Sequence, residues 1–141
     1  MNPEIYLRDA SMEDMEPIEV LMSTYFLDIE GVSVNSFAVA ETNGKIIAAG
    51  AISNDSFLEI HSIAVHPNYR GKGIGTSLVR YLLTRIPTGS SVYVRTTSPV
   101  FFEKAGFVKM DPSKKAKIWD DCAGCDRLNT CKQSVMCLEL K

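Results

Sequence analysis

A chain of 141 residues with 45% hydrophobic and 23% charged side chains has the make-up of one soluble domain built on a single core. Its formal net charge of -2 leaves no basic excess to displace counterions, which excludes non-specific nucleic-acid binding. No apolar run reaches the length of a membrane span and no charged, apolar, cleavable leader opens the chain, so the expected setting is cytoplasmic, with reduced thiols.

Ile5 to Arg8 alternates and reads as a first strand. Ser11, three residues before Asp14, suits a helix cap, and Met15, Ile18, Leu21, Met22 and Tyr25 recur at helical spacing from Met12 to about Leu27. Pro17 sits near the start of that helix, where a missing N–H costs least. Asp28 to Gly31 then reads as a solvated acidic loop. Phe37 to Ala40 and Ile46 to Ile52 flank Asn43-Gly44, the strongest short hairpin sequence.

Leu58 to Val65 is a short run rich in β-branched residues and reads as a buried strand, closed by His66-Pro67-Asn68. Arg70-Gly71-Lys72-Gly73-Ile74-Gly75 follows, and from Ile74 the stripe Leu78, Val79, Leu82, Leu83 and Ile86 marks an amphipathic helix. This strand, glycine turn and helix N-terminus form an anion-binding arrangement. The first helical N–H groups lack partners and carry partial positive charge, and glycines admit an anion close to them. Neither G-x-G-x-x-G with a later acidic residue nor G-x4-G-K-S/T is present, so the Rossmann and Walker readings fail.

Glu59 and His61 are the ionisable residues of this mostly apolar strand, and simple alternation would point both to one face. A buried carboxylate there needs a partner, because burying it alone is costly. Ser91 to Arg95 reads as another strand. Ser98 and Pro99 open a short helix that Gly106 closes, and Ser134 to Leu140 alternates as a last strand.

The segment VHPNYRGKGIG resembles the acyl-CoA signature of the GNAT superfamily of N-acetyltransferases, Q/R-x-x-G-x-G/A, with Arg70, Gly73 and Gly75 in its fixed places. FFEKAGF, from Phe101 to Phe107, resembles the family's second block. The resemblance implies one acetyltransferase domain over 1–141, an α/β fold with a mixed central sheet and helices on both faces. It implies acetyl-CoA as cosubstrate and direct attack by a primary amine in a ternary complex. The turn Gly71, Lys72, Gly73, Ile74, Gly75 and Thr76, with Arg70, would hold the pyrophosphate. The Ile63, Ala64 and Val65 segment would line the pantetheine arm, together with Phe101 and Phe102. Glu59 would be the general base, with His61 as alternative or relay. The family's usual acid is a tyrosine where Phe102 stands, and phenylalanine has no proton to donate. Either Ser98 assists or the thiolate leaves unprotonated.

Thr96-Thr97 before the phenylalanine-rich helix, and the run from Lys117 to Cys125, resemble the N-acetylglutamate-synthase-like branch. A small-molecule amine is the implied partner, an amino acid such as glutamate being one case; protein N-termini and polyamines stay open, as does a homodimer. Nucleic acid and membrane are not expected partners. Arg8, Arg95, Lys109 and the Lys114, Lys115 and Lys117 cluster could pair the carboxylates of a glutamate. A coenzyme-A-binding module without turnover is the reading from another class, kept open by Phe102. All four cysteines, Cys122, Cys125, Cys131 and Cys137, lie in the tail 117–137 as C-x2-C-x5-C-x5-C. Four thiolates could complete structural zinc, three could seat an iron–sulfur cluster, and plain buried thiols are the third reading.

Overall fold

In the computed structural model the elements run β1 (Tyr6–Asp9), α1 (Met15–Thr24), β2 (Phe37–Thr42), β3 (Lys45–Asn54), β4 (Leu58–Val65), α2 (Ile74–Leu83), β5 (Ser91–Thr96), α3 (Pro99–Lys104), β6 (Val108–Lys109) and β7 (Ser134–Glu139). The structure describes residues 4–54, 57–114, 118 and 133–140. The chain divides into two compact units, Met1–Pro87 and Thr88–Lys141.

In the first unit β1, β2, β3 and β4 pair in that order, each antiparallel to the next. Asn43 and Gly44 take φ of 50° and 77°, the two positive values that a two-residue hairpin turn needs to match strand twist. Alternation along β3 then separates two faces. Ala49 and Ala51 lie in one cluster with Ile18, Leu21 and Met22 of α1, and with Phe37, Val39 and Ala64. Gly50 turns the other way, where a Cβ would collide with Ile63 Cδ1 and stand 3.1 Å from Leu82 Cδ1 of α2. The two helices therefore cover opposite faces, and the small residues of β3 let both come close. Leu78, Val79 and Leu82 are fully buried; each such side chain contributes about 1.5–3 kcal/mol of burial energy.

Helix α1 is shorter than its apolar stripe predicts. Met12–Asp14 forms a tighter 3-10 turn ahead of it, closed by the Ser11 N–H and hydroxyl, which both donate to Asp14 Oδ2. At the other end Phe26 adopts a left-handed φ of 57°; its N–H donates to Ser23 O and that of Leu27 to Met22 O, at 3.1 and 3.0 Å. This pair of bonds is a Schellman ending, with phenylalanine where glycine is the favoured residue. Helix α2 also stops before Ile86, because Arg85 and Ile86 donate to carbonyls only three residues back and Pro87 follows. Arg85 is held by Asp9 and by the Phe37 carbonyl at 3.0 Å, and the Tyr81 hydroxyl donates to Asp9 at 2.9 Å, tying α2 to β1 and β2.

In the second unit β7 lies between β5 and β6, antiparallel to both. Val92, Val94, Val135 and Met136 are buried on its strands, and Phe102 stacks edge-on against Phe101 and Phe107. Gly106, with φ of 100°, turns the chain out of α3 into the two-residue strand β6, which sequence reading did not anticipate. Cys137 sits half-buried on β7 opposite Tyr93 and Val108; burial, and then Glu139, push its thiol pKa up.

Candidate active site

The candidate site begins with the register of β4. The His66 N–H donates to the Ile47 carbonyl at 2.7 Å, while Ala48 faces Val65 and Gly50 faces Ile63. Pairs so flanked exchange no bonds of their own, so Ile63 and Val65 turn N–H and C=O to the edge of β4 away from β3. Ala64, expected alongside them, is turned the other way: it faces Ala49, and its side chain is buried among α1 residues.

Beyond Val65 the chain makes a tight turn over Pro67–Tyr69, where His66 Nδ1 accepts the Asn68 N–H at 3.1 Å. His66 is thus a turn cap. Arg70 is extended, and Gly71 and Gly73 then take φ of 77° and 79°. No atom lies within 4 Å of a Cβ built at either glycine, so backbone conformation, not crowding, demands glycine here. Gly73 is the residue ahead of α2 and brings no capping side chain. The helical ladder starts with Ser77 N–H donating to Gly73 O at 3.0 Å, which leaves the Ile74, Gly75 and Thr76 N–H groups at the helix mouth. Arg70 and Lys72 are exposed on the same turn; the Arg70 guanidinium lies 4.7 Å over the Tyr25 ring and Lys72 Nζ 5.4 Å over Tyr69. The Ile74 side chain faces the core, 5% exposed, so only its backbone is available to a ligand. Open space, left-handed glycines, a helix N-terminus and two cations fit a pyrophosphate.

Tyr25 is the residue that sequence reading missed. Its hydroxyl donates to the Val65 carbonyl at 2.6 Å, across 40 positions of sequence. Nothing local to Tyr25 announces that bond.

Glu59 is 9% exposed and stands opposite Ser53, on the face that β3 turns toward α1. His61 is half-buried, with Nδ1 2.9 Å from Ser62 Oγ. The expected sharing of one face by Glu59 and His61 does not follow from this strand. The register slips between Ile52–Ile60 and Ala51–Ser62, a β-bulge that leaves His61 as the extra residue. Alternation therefore breaks between the two side chains.

The second unit holds the other expected residues. Ser98 is exposed and makes no capping bond with its side chain; its N–H instead donates to Thr96 Oγ1 at 2.9 Å. Phe102 is 6% exposed in its aromatic cluster, and Phe101 is half-buried beside it. Cys122, Cys125 and Cys131 lie outside the described residues, as do Lys115 and Lys117. Among the described residues no three His, Cys, Asp or Glu side chains gather as metal ligands, and no helix is long and apolar enough to cross a membrane. Arg8, a candidate partner for a substrate carboxylate, is committed to Asp14 and Glu41.

The acetyltransferase (GNAT) domain model matches residues 33–109, more than half of the chain. The chain belongs to the GNAT acetyltransferases. An uncharacterized N-acetyltransferase of Chlorobaculum tepidum is 31% identical over 108 residues, covering 73% of this chain and 70% of that one. The amino-acid acetyltransferase of Aliivibrio fischeri is 28% identical over 135 residues, covering 81% of this chain but only 30% of that relative. The N-acetylglutamate synthase of Neisseria gonorrhoeae, solved with coenzyme A and N-acetyl-glutamate, superposes with a TM-score of 0.77 at 16% identity; the match covers 100% of this chain and 36% of the synthase. The α/β fold expected from sequence is thus the GNAT fold, and the chain is an acetyl-CoA-dependent N-acetyltransferase domain of that type. It spans about a third of the length of that amino-acid acetyltransferase and of that synthase.

Proposed function

We propose that this domain transfers the acetyl group of acetyl-CoA to the primary amine of a small molecule, an amino acid with glutamate as the leading case. The observation that carries this reading is the continuous run from Ile63 and Val65, whose peptide groups turn away from β3, into the left-handed glycine turn and the mouth of α2. Such an edge can hydrogen-bond an amide-bearing arm, and such a turn can hold the pyrophosphate that follows it in coenzyme A. Similarity to an amino-acid acetyltransferase supports the acceptor class. We treat both compact units as parts of one catalytic domain, because the family match runs across residue 87.

The reaction needs a neutral amine. Glu59 removes one proton from the acceptor ammonium, directly or through a water. The amine nitrogen then attacks the thioester carbonyl carbon, and collapse of the tetrahedral adduct breaks the C–S bond. Coenzyme A leaves as thiolate, and the second nitrogen proton is lost as the amide forms. The thiolate takes its proton from solvent, or by way of Ser98, since Phe102 offers none.

Thiol release from acetyl-CoA, measured against glutamate, other amino acids, polyamines and peptides, tests this function. Turnover on glutamate, absent with Glu59→Gln, supports the full reading. Turnover on another amine keeps the chemistry and discards glutamate. Coenzyme A binding without turnover on any amine favours the second reading, a coenzyme-A-binding module, for which the buried Phe102 is the specific observation.

A further inference from the structure

We infer that Tyr25 is a positioning residue for the cofactor, clamping the end of β4 and the phosphate turn to one ring. The inference rests on the proposed use of acetyl-CoA and deepens it. Tyr25 directly follows α1, yet the two polar contacts of its side chain both fall on the proposed cofactor segment. The hydroxyl donates to Val65 O at 2.6 Å, and the ring supports the Arg70 guanidinium at 4.7 Å.

The geometry makes these contacts more than packing. Val65 is the last residue of β4, and its carbonyl points to the edge away from β3, where no β3 partner can fix it. A hydroxyl bond to one lone pair sets that peptide plane and leaves the second lone pair for a ligand N–H. Arg70 would otherwise be a long exposed side chain with many rotamers; a face contact to an aromatic ring restricts it beside Gly71. Tyr25 itself is held from both sides: its N–H donates to Met22 O at 3.1 Å, and Leu27, two residues on, packs into the α1 core. The clamp is therefore built on the core helix, and it lowers the ordering cost of cofactor binding.

Direct titration of coenzyme A, with steady-state kinetics beside it, tests the clamp in four proteins: wild type, Tyr25→Phe, Tyr25→Leu and Tyr81→Phe. Tyr25→Phe removes the Val65 bond and keeps the ring; Tyr25→Leu removes both. Tyr81→Phe also loses one hydroxyl hydrogen bond, to the Asp9 carboxylate, away from the turn. The expected result is a coenzyme A Kd raised roughly two- to tenfold in Tyr25→Phe. A further few-fold rise is expected in Tyr25→Leu. The KM for the amine and kcat should stay within about twofold. Wild-type affinity in Tyr25→Phe, with a melting temperature lowered as in Tyr81→Phe, would make Tyr25 a structural residue and overturn the inference. If Tyr25→Leu fails to fold, Tyr25→Phe decides alone. Absence of coenzyme A binding in the wild type would overturn the proposed function, and this inference with it.

Discussion

Arg8 grips Asp14 with two parallel bonds, Nη1 to Oδ2 at 2.7 Å and Nη2 to Oδ1 at 3.0 Å, while its Nε reaches Glu41 at 2.9 Å. Such a fork joins the start of α1 to the outer strands of the first unit. The Arg8 bonds, opposed by burial and aided by Ser11, lower the Asp14 pKa from 3.8 to about 2. A depressed carboxyl stabilises the fold above its unfolded pKa and loses that contribution as pH falls through the folded one. Between about pH 4 and pH 2 the protein should lose roughly 1–2 kcal/mol from this group, after allowance for solvent around half-exposed Arg8. Urea unfolding across that range, compared with Asp14→Asn, measures it: the difference between the two proteins should shrink toward acid pH.

Glu59→Gln keeps the shape of the strand and removes the proposed base. Turnover at neutral pH should fall by about a hundredfold or more. The loss should narrow as pH approaches the pKa of the acceptor amine, because an amine already neutral in solution needs no proton removed. A pH profile parallel to that of the wild type would take Glu59 out of the proton path.

Gly73 separates conformation from ligand binding. An alanine there must hold a φ near 79°, at a cost of about 1–2 kcal/mol in stability. Asparagine tolerates that region, so Gly73→Asn should regain most of the stability. Its side chain would instead compete for the helix-mouth N–H groups as a cap, weakening coenzyme A binding. Differential scanning calorimetry beside coenzyme A titration resolves the two effects.

Phe26 is 95% exposed and left-handed, so its ring gains little from burial while its backbone is strained. Phe26→Gly should raise stability by up to about 1 kcal/mol, a few degrees in Tm for a chain of this size. An unchanged or lower Tm would mean that the ring contributes to folding in a way its exposure does not reveal.

What the sequence disclosed follows from how local the determinants are. Leu58–Val65 was readable to the residue because its apolar run ends at His66-Pro67, and Asn43-Gly44 fixed the hairpin by itself. The glycine turn was legible for the same reason: two glycines and a helix start lie within a few positions. The end of α1 was not, because Phe26 occupies a site where glycine is the usual mark. Strand β6 has two residues and pairs with β7, far along the chain. The bulge at His61 carries no glycine or proline to betray it, and the bond from Tyr25 to Val65 spans too much chain for any spacing rule.

The register of the central strand has one more consequence. From Leu58 to Val65 there are eight residues, and the stretch of β3 they face, Ala48 to Asn54, has seven. The strand therefore carries one supernumerary member, and its two ends obey opposite parity. Straightened with every residue kept, it would send Glu59 into the packing beneath α2. Shortened by His61 alone, it would keep every other pair in place. The side on which the carboxylate meets its surroundings is thus set by a count of residues as much as by any contact Glu59 makes.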